Sequence, residues 1–194
     1  QPQPVRDAAF AALARLTGRD LGPVLAALGR FLAEHPEARA TTRLHLAGAL
    51  AGPHEARFSE QVAACALGDI VETHGVLPRD EALRLLCRSH LALVLAQDQE
   101  MQVPAKLYEC VALGLPTLVI AEATSAAARE ARRIGAIACE PTDIAGIVSL
   151  LRRLWLRTQP ARIEPAAAID YASLARDMDR VLGKDATSSG PRRA

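Results

Sequence analysis

Short, almost wholly apolar runs alternate along this chain with longer stretches whose apolar residues recur every three or four positions. Leu91–Ala96 and Pro116–Ala121 are too short for helices and rich in branched side chains, so they predict buried strands. Shorter runs predict further strands at Ala8–Leu13, Thr42–Leu46, Ile70–Thr73 and Ala136–Cys139. Between them the spacing turns helical. Leu21, Val24, Leu25, Leu28 and Leu32 line one face of a helix over Leu21–Glu34. Further helices are predicted over Glu55–Leu67, from Leu77 to about Ser89, around Glu109, over Ser125–Ile134, and near Ile144–Arg157 and Ala172–Leu182. Pro78, Asp80 and Glu81 are start signals for the Leu77 helix, and Gly135 closes the Ser125 helix. Strict alternation, with strands too apolar to face water, implies a parallel sheet covered on both sides. The fold class is therefore α/β, a doubly wound Rossmann-like sheet whose ligands bind beyond the C-terminal strand ends.

Size and composition sharpen this picture. A chain of 194 residues fits one domain with tails, read here as residues 8–183 between polar ends at 1–7 and 184–194. Half the residues are hydrophobic but only 3% are aromatic, which favours alanine-rich helices packed closely on a sheet. The net charge of +1 and the lack of long basic runs exclude a nucleic-acid partner. All but two of the 23 basic residues are arginine, which with the abundant alanine reads as base composition. Cys65, Cys87, Cys110 and Cys139 form no close pair and fall within helical or strand patterns. They read as buried free thiols in a reducing, cytoplasmic compartment. His35, His45, His54, His74 and His90 show no ligand spacing, so no metal is expected. No signal peptide is expected from the sequence, and no apolar run in it approaches the ~20 residues of a membrane span. A chain starting with Gln1 reads as a processed product or an excised piece of something longer.

The densest chemical signal is Pro104–Pro116, PAKLYECVALGLP. Pro104 suits a first helical position, where no N–H donor is required. Leu107 and Val111 share one helical face and Glu109 lies off it. Gly114 stops the helix before the next strand. Helix N-termini in such units attract anions through free N–H groups and the dipole. Lys106 in that first turn points to a bound anion rather than dipole compensation.

KLYECVALGLPTLV resembles the donor-binding segment of GT-B glycosyltransferases of the family-4 type. VLAALGRFLAEHPEARATTRLHLAGAL, IVETHGVLPRDEALRLLCRSHLALVLA and ARRIGAIACEPTDIAGIVSLLRRL look like successive blocks of the same C-terminal domain, in order, from Phe10 to Leu156. The resemblance implies a retaining, hexosyl-type transferase moving a sugar from a nucleoside diphosphate to an acceptor hydroxyl in glycan or polysaccharide biosynthesis. It implies no cofactor beyond the nucleotide-sugar substrate, and an acceptor-binding N-terminal domain absent from this chain. Peripheral membrane association would come only through that domain, and the isolated chain should be inactive. By the same resemblance Arg15 and Arg19 flank Gly18 in the diphosphate loop and act with Lys106 on the leaving group. Arginine suits this because its planar fork holds two phosphate oxygens. Ala14 stands where relatives carry glycine.

Gly75, Val76 and Leu77 would meet the nucleotide base. Gln99, Glu100, Met101, Gln102 and Val103 would form the sugar and phosphate loop. Met101 occupies the usual place of a carboxylate, with Glu100 one residue away as a substitute. Glu109 would accept from both ribose hydroxyls, two acceptor oxygens matching a cis-diol.

Other readings fare less well. A non-catalytic nucleotide-binding subunit that needs a partner chain shares most of these features and is the alternative. A receiver-type signalling domain would want acidic residues after its first strand and a lysine after its last strands. Neither Lys106 nor Lys184 is so placed. A dinucleotide-dependent dehydrogenase would want GxGxxG after a strand, and only Gly48 and Gly52 approach it.

Overall fold

A computed structural model describes residues 8–12, 20–50 and 53–156. Six strands, β1 (Ala8–Ala12), β2 (Thr42–Leu46), β3 (Val71–Thr73), β4 (Leu91–Leu95), β5 (Thr117–Ile120) and β6 (Ile137–Cys139), alternate with six helices. The helices are α1 (Gly22–Glu34), α2 (Pro53–Ala64), α3 (Arg79–Cys87), α4 (Ala105–Ala112), α5 (Ala126–Arg133) and α6 (Ile144–Trp155). A 3-10 turn over Pro36–Thr41 leads into β2. All strand pairs are parallel, in the order β3-β2-β1-β4-β5-β6. This is the doubly wound Rossmann order, with its switch point between β1 and β4.

Strands β4 and β5 divide their side chains between two cores, as a period of two requires. Leu91, Leu93 and Leu95 of β4 and Leu118 and Ile120 of β5, joined by Leu44 and Leu46 of β2, face α1, α2 and α6. There Phe31 meets Trp155 edge-on, with ring centroids 6.0 Å apart. Ala92, Val94, Ala96 and Val119 face the opposite way, against Leu86 of α3, Leu107, Cys110 and Val111 of α4, and Ala127, Ala128 and Ala131 of α5. Alanine on both strand and helix lets backbones approach closely, so a core poor in aromatic rings still packs. Close approach also fixes Gly29: a Cβ there would lie 3.0 Å from the Cys65 carbonyl oxygen.

Ends differ from expectation where the cap decides. α2 stops at Ala64, short of Leu67, because Ala66 turns left-handed (φ 54°) and Leu67 N–H donates back to the Val62 carbonyl at 3.0 Å. α3 starts at Arg79, since Pro78 keeps an extended ψ of 150°. Pro104 likewise is the cap of α4 rather than its first helical residue: its ψ of 129° is extended, while its carbonyl accepts from Leu107 N–H at 3.0 Å. Ser125 caps α5, its hydroxyl accepting from Ala128 N–H at 3.1 Å. The expected helix over Ala172–Leu182, Leu13 at the end of the first strand and both tails lie outside the described residues.

The four cysteines are free, but their uniform burial is corrected. Only Cys110 is buried; Cys65 and Cys139 are half-buried, and Cys87 is exposed at the end of α3. Its place at a helix end, past the apolar stripe that seats Leu86, explains the exposure. Among the described residues, no helix is long and apolar enough to cross a membrane.

Candidate functional site

The C-terminal ends of β3 and β4 deliver two of the predicted loops to one edge of the sheet. The first follows Thr73. Gly75 sits there at φ +64°, a left-handed conformation that suits glycine, and a Cβ at this position would meet nothing within 4 Å. Its carbonyl accepts from Gly48 N–H at 2.6 Å, tying the loop after β3 to that after β2. Val76 next to it is 78% exposed.

The second loop, 97–103, follows β4. Gln97 is buried and its side-chain amide donates to the Asp20 carbonyl at 2.7 Å, which anchors the loop to the start of α1. Asp98 takes a left-handed turn (φ 59°), and its N–H donates to Glu122 at 3.3 Å. The Glu100 carbonyl accepts from Ala126 N–H at 2.7 Å, so the loop also rests on the α5 N-terminus. Held at both ends, it presents Met101 outward at 83% exposure, while Glu100 and Gln102 are exposed and Gln99 and Val103 partly covered. Val76 and Met101, two of the three most exposed large apolar side chains described, thus occupy the two loops at this edge. Exposed large apolar side chains on neighbouring loops are the informative kind, since they mark a surface that can meet a ligand or partner.

α4 rises from the second loop. Leu107, Cys110 and Val111 anchor its buried face, which leaves Lys106 in the first turn half-buried and Glu109 half-exposed. Burial above all, and then the Glu109 charge, push the Cys110 thiol up to about 12, so it stays protonated and inert. Tyr108 bridges to α5, where Glu130 is gripped in bidentate fashion by Arg133 at 2.7 and 2.6 Å. Those Arg133 hydrogen bonds, with Tyr108 adding to them against the opposing effect of burial, hold the Glu130 carboxyl below its ordinary range.

Arg79, the first residue of α3 and not among the predicted site residues, reaches across to Glu109: Nη2 lies 3.4 Å from Oε1. The helix after the Gly75–Leu77 loop and the helix carrying Glu109 therefore meet at this point. Asp20 organises the other side. Its carboxylate accepts from Gly22 N–H at 2.8 Å, Gln61 at 3.0 Å and Arg57 at 2.9 Å. Burial opposes ionisation of Asp20, yet these donors and the Arg57 charge outweigh it and hold its carboxyl below the ordinary range. Asp20 closes the expected diphosphate loop, of which Arg15 and Arg19 lie outside the described residues. Gly75, Val76 and Leu77 thus follow β3, and the 97–103 loop, Lys106 and Glu109 follow β4, at the same C-terminal edge of the sheet, and Arg79–Glu109 joins the two regions. Histidines without ligand spacing along the sequence come together in space: His45 and His74 meet Glu72 across β2 and β3. That grouping was invisible in the sequence because it depends on strand register.

No protein-family model matches the chain, and no curated protein is significantly similar to it in sequence. Solved structures are similar in fold. HepE of Anabaena, in complex with UDP-glucose, matches with a TM-score of 0.66 at 13% identity, over 92% of this chain and 49% of that one. The lipopolysaccharide outer core galactosyltransferase WaaB matches with a TM-score of 0.67 at 16% identity, over 92% and 50%. The α,α-trehalose 6-phosphate synthase of Burkholderia multivorans matches with a TM-score of 0.63 at 15% identity, over 97% and 45%. The chain spans about half the length of each. What these likenesses show is the fold: this chain has the Rossmann-like parallel sheet, with helices on both faces, found in one half of each of those chains.

Proposed function

We propose that this chain is the donor-binding half of a retaining glycosyltransferase, which moves a sugar from a nucleoside diphosphate to an acceptor hydroxyl. The observation that carries the reading is the meeting of α3 and α4 at Arg79–Glu109. It sets the carboxylate suited to a ribose diol beside the helix that follows the Gly75–Leu77 loop. The base would lie against that loop and the exposed Val76 side chain, and the ribose hydroxyls would donate to Glu109. The diphosphate would run toward the N-terminus of α4 and Lys106, with Arg15 and Arg19 completing the cationic cradle. Met101 and its neighbours on the 97–103 loop would border the sugar.

The chemical contribution of such a half-site is electrostatic. Negative charge grows on the diphosphate as the glycosidic bond breaks, and preorganised cations and helix N–H groups stabilise it without reorganising. That work requires no metal ion. The acceptor and any proton-transfer group belong to a second domain. HepE, solved with UDP-glucose, supports the class of donor, and its double length supports the need for a second half.

Titration calorimetry of the full chain with uridine, guanosine and adenosine mono- and diphosphates tests the reading. One diphosphate should bind at least tenfold more tightly than its monophosphate, and more weakly as salt rises, since exposed charges are screened beyond a Debye length of ~8 Å at physiological strength. Equal affinity for mono- and diphosphate across the panel would end the diphosphate role of the three cations.

A further inference from the structure

The outer half of the sheet face that carries the second core is not apolar. Leu44 and Leu46 send their side chains into the first core, so Arg43 and His45 face the other way. Parallel register sets His45 opposite Glu72 on edge strand β3, and the two-residue period puts Glu72 and His74 on one face. The second core, formed by α3, α4 and α5, draws on β4 and β5 and takes no residue from β2 or β3. Two imidazoles and a carboxylate converge in the space left over.

Their geometry is specific. His45 Nδ1 lies 3.1 Å from His74 Nε2 and 3.2 Å from Glu72 Oε2, and the three ligand atoms all fall within 4.8 Å of one another. A ring nitrogen has one in-plane site, either an N–H or a lone pair, so His45 Nδ1 satisfies one of these neighbours by hydrogen bonding and not both. Three donor atoms this close together are what a cation can hold at once. Zinc–ligand bonds of about 2.0–2.1 Å in a tetrahedron place neighbouring ligand atoms about 3.3 Å apart, close to both short separations here.

We propose that His45, Glu72 and His74 form a binding site for a single zinc ion, with water in the fourth position. This goes against the expectation of no metal, and the three ligands lie on β2, on β3 and directly after β3 rather than on α4. Its function is mechanical. β3 has only three residues, forms the sheet edge and leads into the Gly75–Leu77 loop, and the ion would clamp it to β2. Imidazole and carboxylate together favour zinc and its late first-row neighbours over magnesium or calcium, which prefer all-oxygen shells.

The surroundings suit a moderate affinity. Arg43 Nε stands 3.6 Å from Glu72 Oε1, while Oε2 is the oxygen 3.2 Å from His45, so Arg43 helps to orient the carboxylate. Arg43 and Arg88 place guanidinium charge close enough to act on His45. The same guanidinium charges oppose a dication. Binding in the micromolar range is therefore expected rather than the tighter affinity of an all-anionic site.

The test uses the full chain with zinc chloride as the sole probe, by calorimetry and by competition with a chromogenic chelator at neutral pH. One equivalent should bind with micromolar affinity and raise the unfolding midpoint, while magnesium at the same concentration should do neither. Glu72→Gln and His74→Gln alter exposed residues and leave the fold intact, and each should weaken zinc binding at least tenfold. Cys87→Ser removes the exposed thiol, a competing ligand, and should leave binding unchanged. Binding no tighter than millimolar, equal binding by the Glu72 and His74 variants, or loss of binding in Cys87→Ser would each overturn the site.

Discussion

Glu109→Gln separates a ribose carboxylate from a solvated helix residue. The change keeps the size and one acceptor oxygen of the side chain but removes its charge. In the free protein the carboxylate touches Arg79 at 3.4 Å, and the two side chains are 42% and 78% exposed. A pair so long and so wet is worth no more than about 0–1 kcal/mol, and glutamine matches glutamate in helix propensity. Thermal and urea stability should therefore move by less than about 0.5 kcal/mol, the scatter of ordinary surface substitutions. Ligand affinity should respond far more. A hydrogen bond to a charged group contributes about 1.5–3 kcal/mol, which corresponds to a 10- to 100-fold loss for the preferred nucleoside diphosphate. Because that carboxylate must first loosen its contact with Arg79, the loss should fall toward the lower end of this range. The assay is calorimetry of wild type and variant against the natural diphosphate and its 2′,3′-dideoxy analogue. The analogue offers no diol, so the substitution should change its affinity less than about threefold, well under 1 kcal/mol. An unchanged affinity for the natural ligand, or an equal loss with the dideoxy one, would refute the assignment.

Other expectations follow from single features. The chain alone should bind donor yet show no sugar transfer in a radiolabelled-donor assay, because in the proposed reading the acceptor site belongs to a second domain; turnover matching that of a full-length GT-B enzyme would contradict the half-site reading. Glu130, its carboxyl held low chiefly by Arg133, stabilises the fold above the ordinary carboxylate range, and that stability is lost as pH falls through its folded value. Glu130→Gln should thus be destabilising at neutral pH in urea denaturation, with the difference from wild type shrinking at acid pH; a constant difference would remove the charge from the explanation. Under native conditions iodoacetamide should label the exposed Cys87 first and Cys110, buried with its thiol pushed up to about 12, last, as peptide mapping would show. Early labelling of Cys110 would mean that α4 opens from the sheet.

Much of the fold was legible in the residue pattern. Two periods suffice for it: runs such as Leu91–Ala96 cannot be helices of useful length, and Leu21–Leu32 cannot be a strand. Thr42–Leu46 and the start of α6 at Ile144 fall where the pattern placed them. Boundaries drifted where a cap decided them, as at Ala66, whose left-handed turn has no glycine to announce it. The burial of Leu107 and Val111 and the half-exposure of Glu109 were likewise fixed by helical spacing alone. By contrast, Arg79 beside Glu109 is a contact across 30 residues, and His45 near His74 one across 29. Local periodicity tells which face a side chain takes but not which strand lies next to it. Strand order and register are settled by the joint packing of all six strands and their helices, so the groups that converge at the sheet edge could be named only once β3 lay against β2 and α4 beside α3.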